Sequence, residues 1–150
     1  MSDLRELYQE VIIDHSKSPR NFYELPHTTH HAEGFNPLCG DRLTLYMKIN
    51  NNIIEEISFL GAGCAISTSS ASLMTEQLKG KTIAEAETLF REFQYFLTHE
   101  SGTGTEATLL GKLTILSGVR DYPSRVKCAT LAWHTLHAAL QKQSTSISTE

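Results

Sequence analysis

Asn36-Pro37-Leu38-Cys39-Gly40-Asp41 sets a thiol and a carboxylate two residues apart on a tight turn, with glycine between them and proline just before. Two further cysteines complete the chain's three: Cys64 in Gly61-Ala62-Gly63-Cys64-Ala65, and Cys128 in Arg125-Val126-Lys127-Cys128-Ala129. Three thiolates and one carboxylate make a tetrahedral donor set of the kind zinc accepts. A closed shell would be structural, whereas a ligand able to leave would make the site reactive. The plainer alternative is three cysteines buried as small apolar side chains. Their contexts argue against it. Two stand beside glycines at predicted strand ends and the third at a predicted helix start, where distant segments converge.

The elements that must position these groups follow from periodicity. Leu43, Leu45, Met47 and Ile49 alternate with Thr44, Tyr46 and Lys48, which predicts a half-buried strand starting after Asp41. Asn50-Asn51-Asn52 supplies a turn, because asparagine tolerates left-handed backbone. Ile53, Ile57 and Phe59 return as a second strand, with Glu55 interrupting strict alternation. Antiparallel pairing brings Cys39 and Asp41 to the same sheet end as Cys64. Gly61 and Gly63 allow a sharp turn before Cys64, and a helix then runs from Ile66 to Lys79-Gly80. Cys64 falls near its N-terminus, where the macrodipole favours thiolate over thiol. The serine run Ser67 to Ser72 is read as close packing rather than hydroxyl catalysis, since no acid or base accompanies it.

Around this centre, Leu4, Leu7, Tyr8, Val11 and Ile12 predict an amphipathic first helix, with Asp3 and Glu6 as a capping box and Pro19 past its end. Residues 21–37 read as irregular with a short strand near His30 to Gly34. His27, His30 and His31 lack the spacing of a metal-binding pair and read as exposed imidazoles. Thr82-Ile83-Ala84-Glu85 is a second capping box, opening a helix whose apolar face is Ile83, Ala86, Leu89, Phe90, Phe93 and Leu97. Ser101 to Thr105 is a flexible linker; its Gly-x-Gly lacks the preceding strand of a phosphate-binding turn. Leu109, Leu110, Leu113 and Leu116 predict another helix, closed by Gly118 and Pro123. Cys128 opens the final helix, with Leu131, Ala132, Leu136, Ala139 and Leu140 buried and His134 and His137 directed elsewhere. Arg125 and Lys127 are expected to lower the pKa of Cys128. The polar tail 141–150 is expected to fray.

With 150 residues and 40% hydrophobic content, the chain can bury one core, so residues 1–150 are read as a single domain. A net charge of −4 argues against nucleic-acid or anionic-membrane surfaces. No apolar run spans a bilayer and the first residues lack a signal-peptide core, so a cytoplasmic protein is expected. An odd cysteine count and a reducing compartment both argue against a disulfide framework.

Taken together, Cys39-Gly40-Asp41, Gly63-Cys64-Ala65 and Lys127-Cys128-Ala129, in this order of helix, hairpin and helices, resemble the IscU/SufU-type iron–sulfur cluster assembly proteins from Leu4 to about Leu140. The resemblance implies an α+β, SufE/IscU-like fold: a small antiparallel sheet of about three strands packed against several helices. It is nearest the SufU branch. IscU scaffolds carry histidine before the third cysteine, where this chain has Lys127, and their Leu-Pro-Pro-Val-Lys run is replaced by Tyr122-Pro123-Ser124-Arg125-Val126-Lys127. The long segment between Lys79 and Cys128 also matches SufU.

That branch implies zinc held by Cys39, Asp41, Cys64 and Cys128, with Cys39 accepting persulfide sulfur from a SufS-type, pyridoxal-phosphate-dependent cysteine desulfurase. The sulfur then passes to downstream iron–sulfur assembly proteins. Arg125 matches a position linked to docking, and Lys127 beside it is a candidate contact. On the chemistry, Asp41 is a catalytic candidate beside Cys39, because a carboxylate binds zinc less tenaciously than thiolate and makes the shell easier to remodel. Two other readings stand: a scaffold holding an iron–sulfur cluster on the same cysteines, and a structural zinc-binding interaction module.

Overall fold

In the computed structural model, residues 2–99, 109–141 and 147–148 are described; for residues 2–5 and 147–148 only the backbone is considered. The strand signals build the sheet first. Strand β1 is His30–Asn36, β2 is Asp41–Asn50 and β3 is Ile53–Ala62. Both hairpins are antiparallel, with Asn36 opposite Asp41 in the first and Asn50 opposite Ile53 in the second. Asn51 and Asn52 form the two-residue loop with φ of 53° and 63°, the paired positive values that a tight hairpin turn of this hand requires. Glu55 breaks the alternation for a structural reason. The register slips between Lys48 and Ile49, so β3 carries one extra residue there as a bulge.

Among the described residues the helices are α1 (Ser2–Lys17), α2 (Ala65–Leu78), α3 (Ile83–Thr98) and α4 (Pro123–Leu140), with a 3-10 helix at Gly111–Asp121; α2 and α4 pack on the strands, α1 packs on α2 and α3 on α4. The α+β architecture expected from the sequence is present. Trp133 of α4, Phe93 of α3, Phe59 of β3 and Leu45 and Met47 of β2 are among the largest fully buried side chains. Small residues let α2 sit deep. Ser67, Ser69, Ser70, Ala71 and Ser72 are all buried, and Ser70 Oγ donates to Ala129 O at 2.6 Å while accepting from Trp133 Nε1 at 3.2 Å. The serine run is packing, as its composition suggested. Thr82 and Glu85 form the reciprocal capping box that opens α3.

Several local expectations are corrected. Strand β1 reaches Asn36 rather than ending near Gly34. Helix α1 begins at Ser2, so Asp3 lies within it and not at a cap. The segment after Leu110 is a 3-10 helix rather than an α-helix. Leu110, Leu113, Leu116 and Val119 are all buried, and their uniform spacing of three is the period of a 3-10 helix, not 3.6. Pro123 does not merely end that segment; it is the first residue of α4, where a missing N–H costs nothing. In the tail, Ile147–Ser148 (β4) pair in parallel with Gly34 and Phe35, giving the sheet order β3-β2-β1-β4. The Ser101 to Thr105 linker lies outside the described residues. No described helix is long and apolar enough to cross a membrane.

Candidate metal centre

Strand parity places the first ligand group. On β1 the inward residues are His30, Ala32, Gly34 and Asn36; on β2 they are Asp41, Leu43, Leu45 and Met47. Asn36 and Asp41 are therefore the cross-strand pair that closes the core face at the sheet end. Between them the chain turns outward. Cys39 N–H donates to Asn36 O at 3.2 Å, Gly40 takes the positive φ of 70° that the turn needs, and the Cys39 side chain is exposed. Asp41 is the first residue of β2 rather than preceding it, and is only 2% exposed.

The second hairpin returns Cys64 to this end. Cys64 is the N-cap of α2 and is half-buried; its N–H donates to Asp41 Oδ1 at 2.8 Å and its thiol lies 3.9 Å from Asp41 Oδ2. Gly63 is required by this approach, because a Cβ there would lie 2.5 Å from Asp41 Oδ1. Helix α4 supplies the last group from above. Cys128 is 1% exposed; its thiol donates to Cys39 Sγ at 3.1 Å and also faces Ser124 O at 3.5 Å.

Ligand atoms of Cys39, Asp41 and Cys128 all lie within 4.8 Å of one another. Cys64 stands at the rim of this cluster, touching it through Asp41. Asn36, which sequence reading did not single out, is fully buried, and its Nδ2 donates to Asp41 Oδ2 at 3.3 Å and to Cys128 Sγ at 3.4 Å. Strand parity was the available signal: an inward-facing amide at a strand end, opposite an inward-facing carboxylate.

The electrostatics favour a cation. Burial pushes the Cys128 thiol well up, and Cys39, Asp41 and Cys64 push it further. This corrects the expectation that Arg125 and Lys127 lower it. Cys128 lies in the second turn of α4, and adjacent helix residues project in different directions. Arg125 is exposed, with its guanidinium 5.3 Å from the Tyr122 ring, and Lys127 is half-buried. A divalent cation held by these groups would satisfy them as thiolates and carboxylate. The donor set fits zinc or another thiophilic metal. Tetrahedral zinc thiolates keep their sulfurs roughly 3.8 Å apart, and the exposed Cys39 turn has room for that adjustment.

The histidines take no part in this cluster. His30 is buried and lies 2.8 Å from Thr29 Oγ1 through Nδ1, His31 faces the opposite side of β1, and His27 is exposed. Among the described residues they form no metal-binding group. His137 pairs with Glu87 at 3.0 Å, and both His134 and His137 pack on Phe90, away from the centre as expected.

Comparison with known proteins supplies the family. The model of the NifU-like N terminal domain matches residues 7–129. The chain is 39% identical to the zinc-dependent sulfurtransferase SufU of Bacillus subtilis, covering 95% of each protein. It is 38% identical to the iron–sulfur cluster assembly scaffold protein IscU of Thermotoga maritima, covering 91% of this chain and 94% of that one. A crystal structure from Fervidobacterium islandicum, described as a candidate iron–sulfur cluster assembly scaffold for the SUF system, superposes with a TM-score of 0.81 at 35% identity, covering 87% and 94% of the two chains. With its fold, its cysteine centre and these relatives in agreement, the chain belongs to the NifU-like N-terminal domain family, alongside SufU and IscU proteins.

Proposed function

We propose that this protein acts in iron–sulfur cluster assembly as a zinc-dependent acceptor of persulfide sulfur from a cysteine desulfurase of the SufS type. The observation that carries the reading is the asymmetry of the centre: Cys39 is exposed while Cys128 and Asp41, within 4.8 Å of it, are buried. Cys39, Asp41, Cys64 and Cys128 would hold the ion, which when bound keeps the thiols deprotonated. Cys39 is the exposed ligand, Cys64 is half-buried, and Asp41 and Cys128 are buried. The Cys39 thiolate attacks the outer sulfur of the partner's persulfide, the partner's sulfur–sulfur bond breaks, and the partner's cysteine leaves as thiolate. Cys39 then carries the persulfide for release to a downstream assembly protein.

An open groove of about 620 Å³, lined by Tyr8, Ile12, Ile66, Leu116, Tyr122 and Arg125, is a candidate surface for such a partner. Ile66 lies on α2, which Cys64 caps, and Arg125 lies on α4, which carries Cys128. Arg125, on the wall of the groove, and Lys127 are proposed as docking contacts.

Metal analysis of the purified protein should give about one zinc per chain, as a four-ligand site holds. A desulfurase assay should show stimulation by the wild type and none by Cys39→Ser. Stimulation that survives loss of the Cys39 thiol would sink the transfer mechanism. The scaffold reading has its own support in the similarity to IscU proteins. A brown, oxygen-sensitive chromophore after anaerobic reconstitution, in place of colourless zinc protein, would favour it.

A further inference from the structure

Asn36 touches three of the four residues of the centre. Its main-chain carbonyl accepts Cys39 N–H at 3.2 Å and so closes the turn that carries the exposed thiol. Its side-chain amide donates to Asp41 Oδ2 at 3.3 Å and to Cys128 Sγ at 3.4 Å. The residue is 0% exposed, and its Oδ1 is buried without a hydrogen-bond partner among the described residues. An orphaned buried carbonyl is costly. The fold retains the amide although half of its hydrogen-bonding capacity is unused, so the value lies in the Nδ2 face. That face meets only the carboxylate and the most buried thiol.

We propose that Asn36 is the positioning residue that makes ligand exchange selective. Its amide fixes Asp41 and Cys128, whereas no side-chain donor on the protein other than the Cys128 thiol reaches Cys39 Sγ among the described residues. Asp41 and Cys128 are clamped by Nδ2 and Cys64 is tied through its main-chain N–H to Asp41 Oδ1, which leaves Cys39 to swing out on its Gly40 turn. The inference rests on the metal reading given above and extends it: one amide decides which ligand is mobile. An N–H donated to a metal thiolate also draws off sulfur electron density, so the clamp leaves a spectroscopic mark on Cys128.

The test uses the full chain loaded with cobalt(II) or zinc, and Asn36→Ala and Asn36→Ser variants. Loss of such an outer-shell donor is expected to lower zinc affinity, in competition with a chromophoric chelator, by about 10- to 100-fold. The cobalt–thiolate charge-transfer band should move to lower energy in Asn36→Ala and recover in part in Asn36→Ser, whose hydroxyl can still donate. Zinc affinity within about twofold of wild type, with an unmoved band, overturns the proposal. Should both variants fail to fold, cadmium-113 substitution of the wild type decides. Asn36 side-chain N–H protons coupled to the metal through Cys128 and protected from exchange support the clamp, and uncoupled, freely exchanging protons overturn it. None of these readouts involves sulfur transfer. An inactive Cys39→Ser with normal Asn36 signals, or the reverse, therefore separates failure of the functional reading from failure of this one.

Discussion

The carboxylate of Asp41 and the main chain of Cys64 behave as one unit: Oδ1 accepts the Cys64 N–H at 2.8 Å while Oδ2 faces Asn36 Nδ2 and the thiols. Asp41 thus has two separable roles. One ties the turn before α2 to the start of β2, and the other, on the proposed reading, is to present an oxygen to the metal. Asp41→Asn keeps an acceptor for the Cys64 N–H but discards the charged ligand, whereas Asp41→Ala discards both. The neutral amide of Asp41→Asn keeps a hydrogen bond that contributes roughly 0.5–1.5 kcal/mol. In metal-free protein Asp41→Ala should therefore melt several degrees below Asp41→Asn, while both bind zinc more weakly than wild type. Equal melting temperatures for the two variants would remove the tethering role. Persulfide transfer by Asp41→Asn tests the proposal that this ligand tunes exchange; unchanged kinetics would discard it.

Gly63 and Gly118 make a matched pair of substitutions. A Cβ on Gly63 would lie 2.5 Å from Asp41 Oδ1, 2.8 Å from Ser67 Oγ and 3.1 Å from Asp41 Cα, whereas on Gly118 it would meet nothing within 4 Å. Gly63→Ala must displace the carboxylate, with an overpacking cost of about 1–3 kcal/mol, and should weaken zinc binding along with stability. Gly118→Ala should leave zinc affinity alone and stabilise slightly, by about 0.4–1 kcal/mol, through the unfolded chain. Thermal melts and chelator competition on both variants check the contrast. Normal zinc affinity in Gly63→Ala would show that Asp41 has more freedom than its contacts indicate.

Alkaline stability should depend on the metal. Burial, followed by Cys39, Asp41 and Cys64, raises the Cys128 thiol above its ordinary value. The folded metal-free protein then holds a proton that the unfolded chain releases near pH 8.5. Stability from this group is complete below that pH and declines as pH rises beyond it. Melting temperature of the metal-free protein should fall from about pH 8.5 upward, and Cys128→Ala should flatten the decline. Zinc-loaded protein, with its thiols already deprotonated, should lack this component. An identical alkaline slope with and without zinc would contradict the assignment.

Much of the candidate centre was legible because its residues sit where local signals are strong. Alternation from Leu43 to Ile49 fixed the hairpin, and the hairpin alone required Cys64 to return beside Cys39 and Asp41. The protonation of Cys128 was not legible. Its charged neighbours Arg125 and Lys127 were visible in sequence, but the burial beneath α4 that dominates is a tertiary property. Asn36 escaped because an asparagine before proline reads as turn chemistry; only the extension of β1 to residue 36 turns its amide inward. The 3-10 helix was recorded in the spacing of Leu110, Leu113, Leu116 and Val119, yet leucine content outweighed the period. The short β4 pairing rests on contact between segments more than a hundred residues apart, which no local pattern encodes.

Acid stability has a separate origin at the α1–α2 contact. His15 is 2% exposed, its Nδ1 lies 2.7 Å from Ser72 Oγ, and its Nε2 is 3.8 Å from Glu76. Burial lowers its pKa first and Arg20 adds to that, against the opposing pull of Glu76 and Asp14. His134, buried near His137, is lowered in the same direction. For a base depressed in the folded state, the unfolded chain takes up the proton first. The stability is present above the unfolded value near pH 6.5 and is lost as pH falls through the folded one. Melting temperature should therefore decline below about pH 6.5, before the carboxylates titrate. His15→Gln, which keeps a polar group toward Ser72, should shallow that limb and leave the alkaline one as it was. The remaining slope belongs to His134 and should shrink further in the double variant with His134→Gln. If His15→Gln melts with the wild-type pH profile between 6.5 and 5, the buried imidazole already carries its proton and Glu76 outweighs burial.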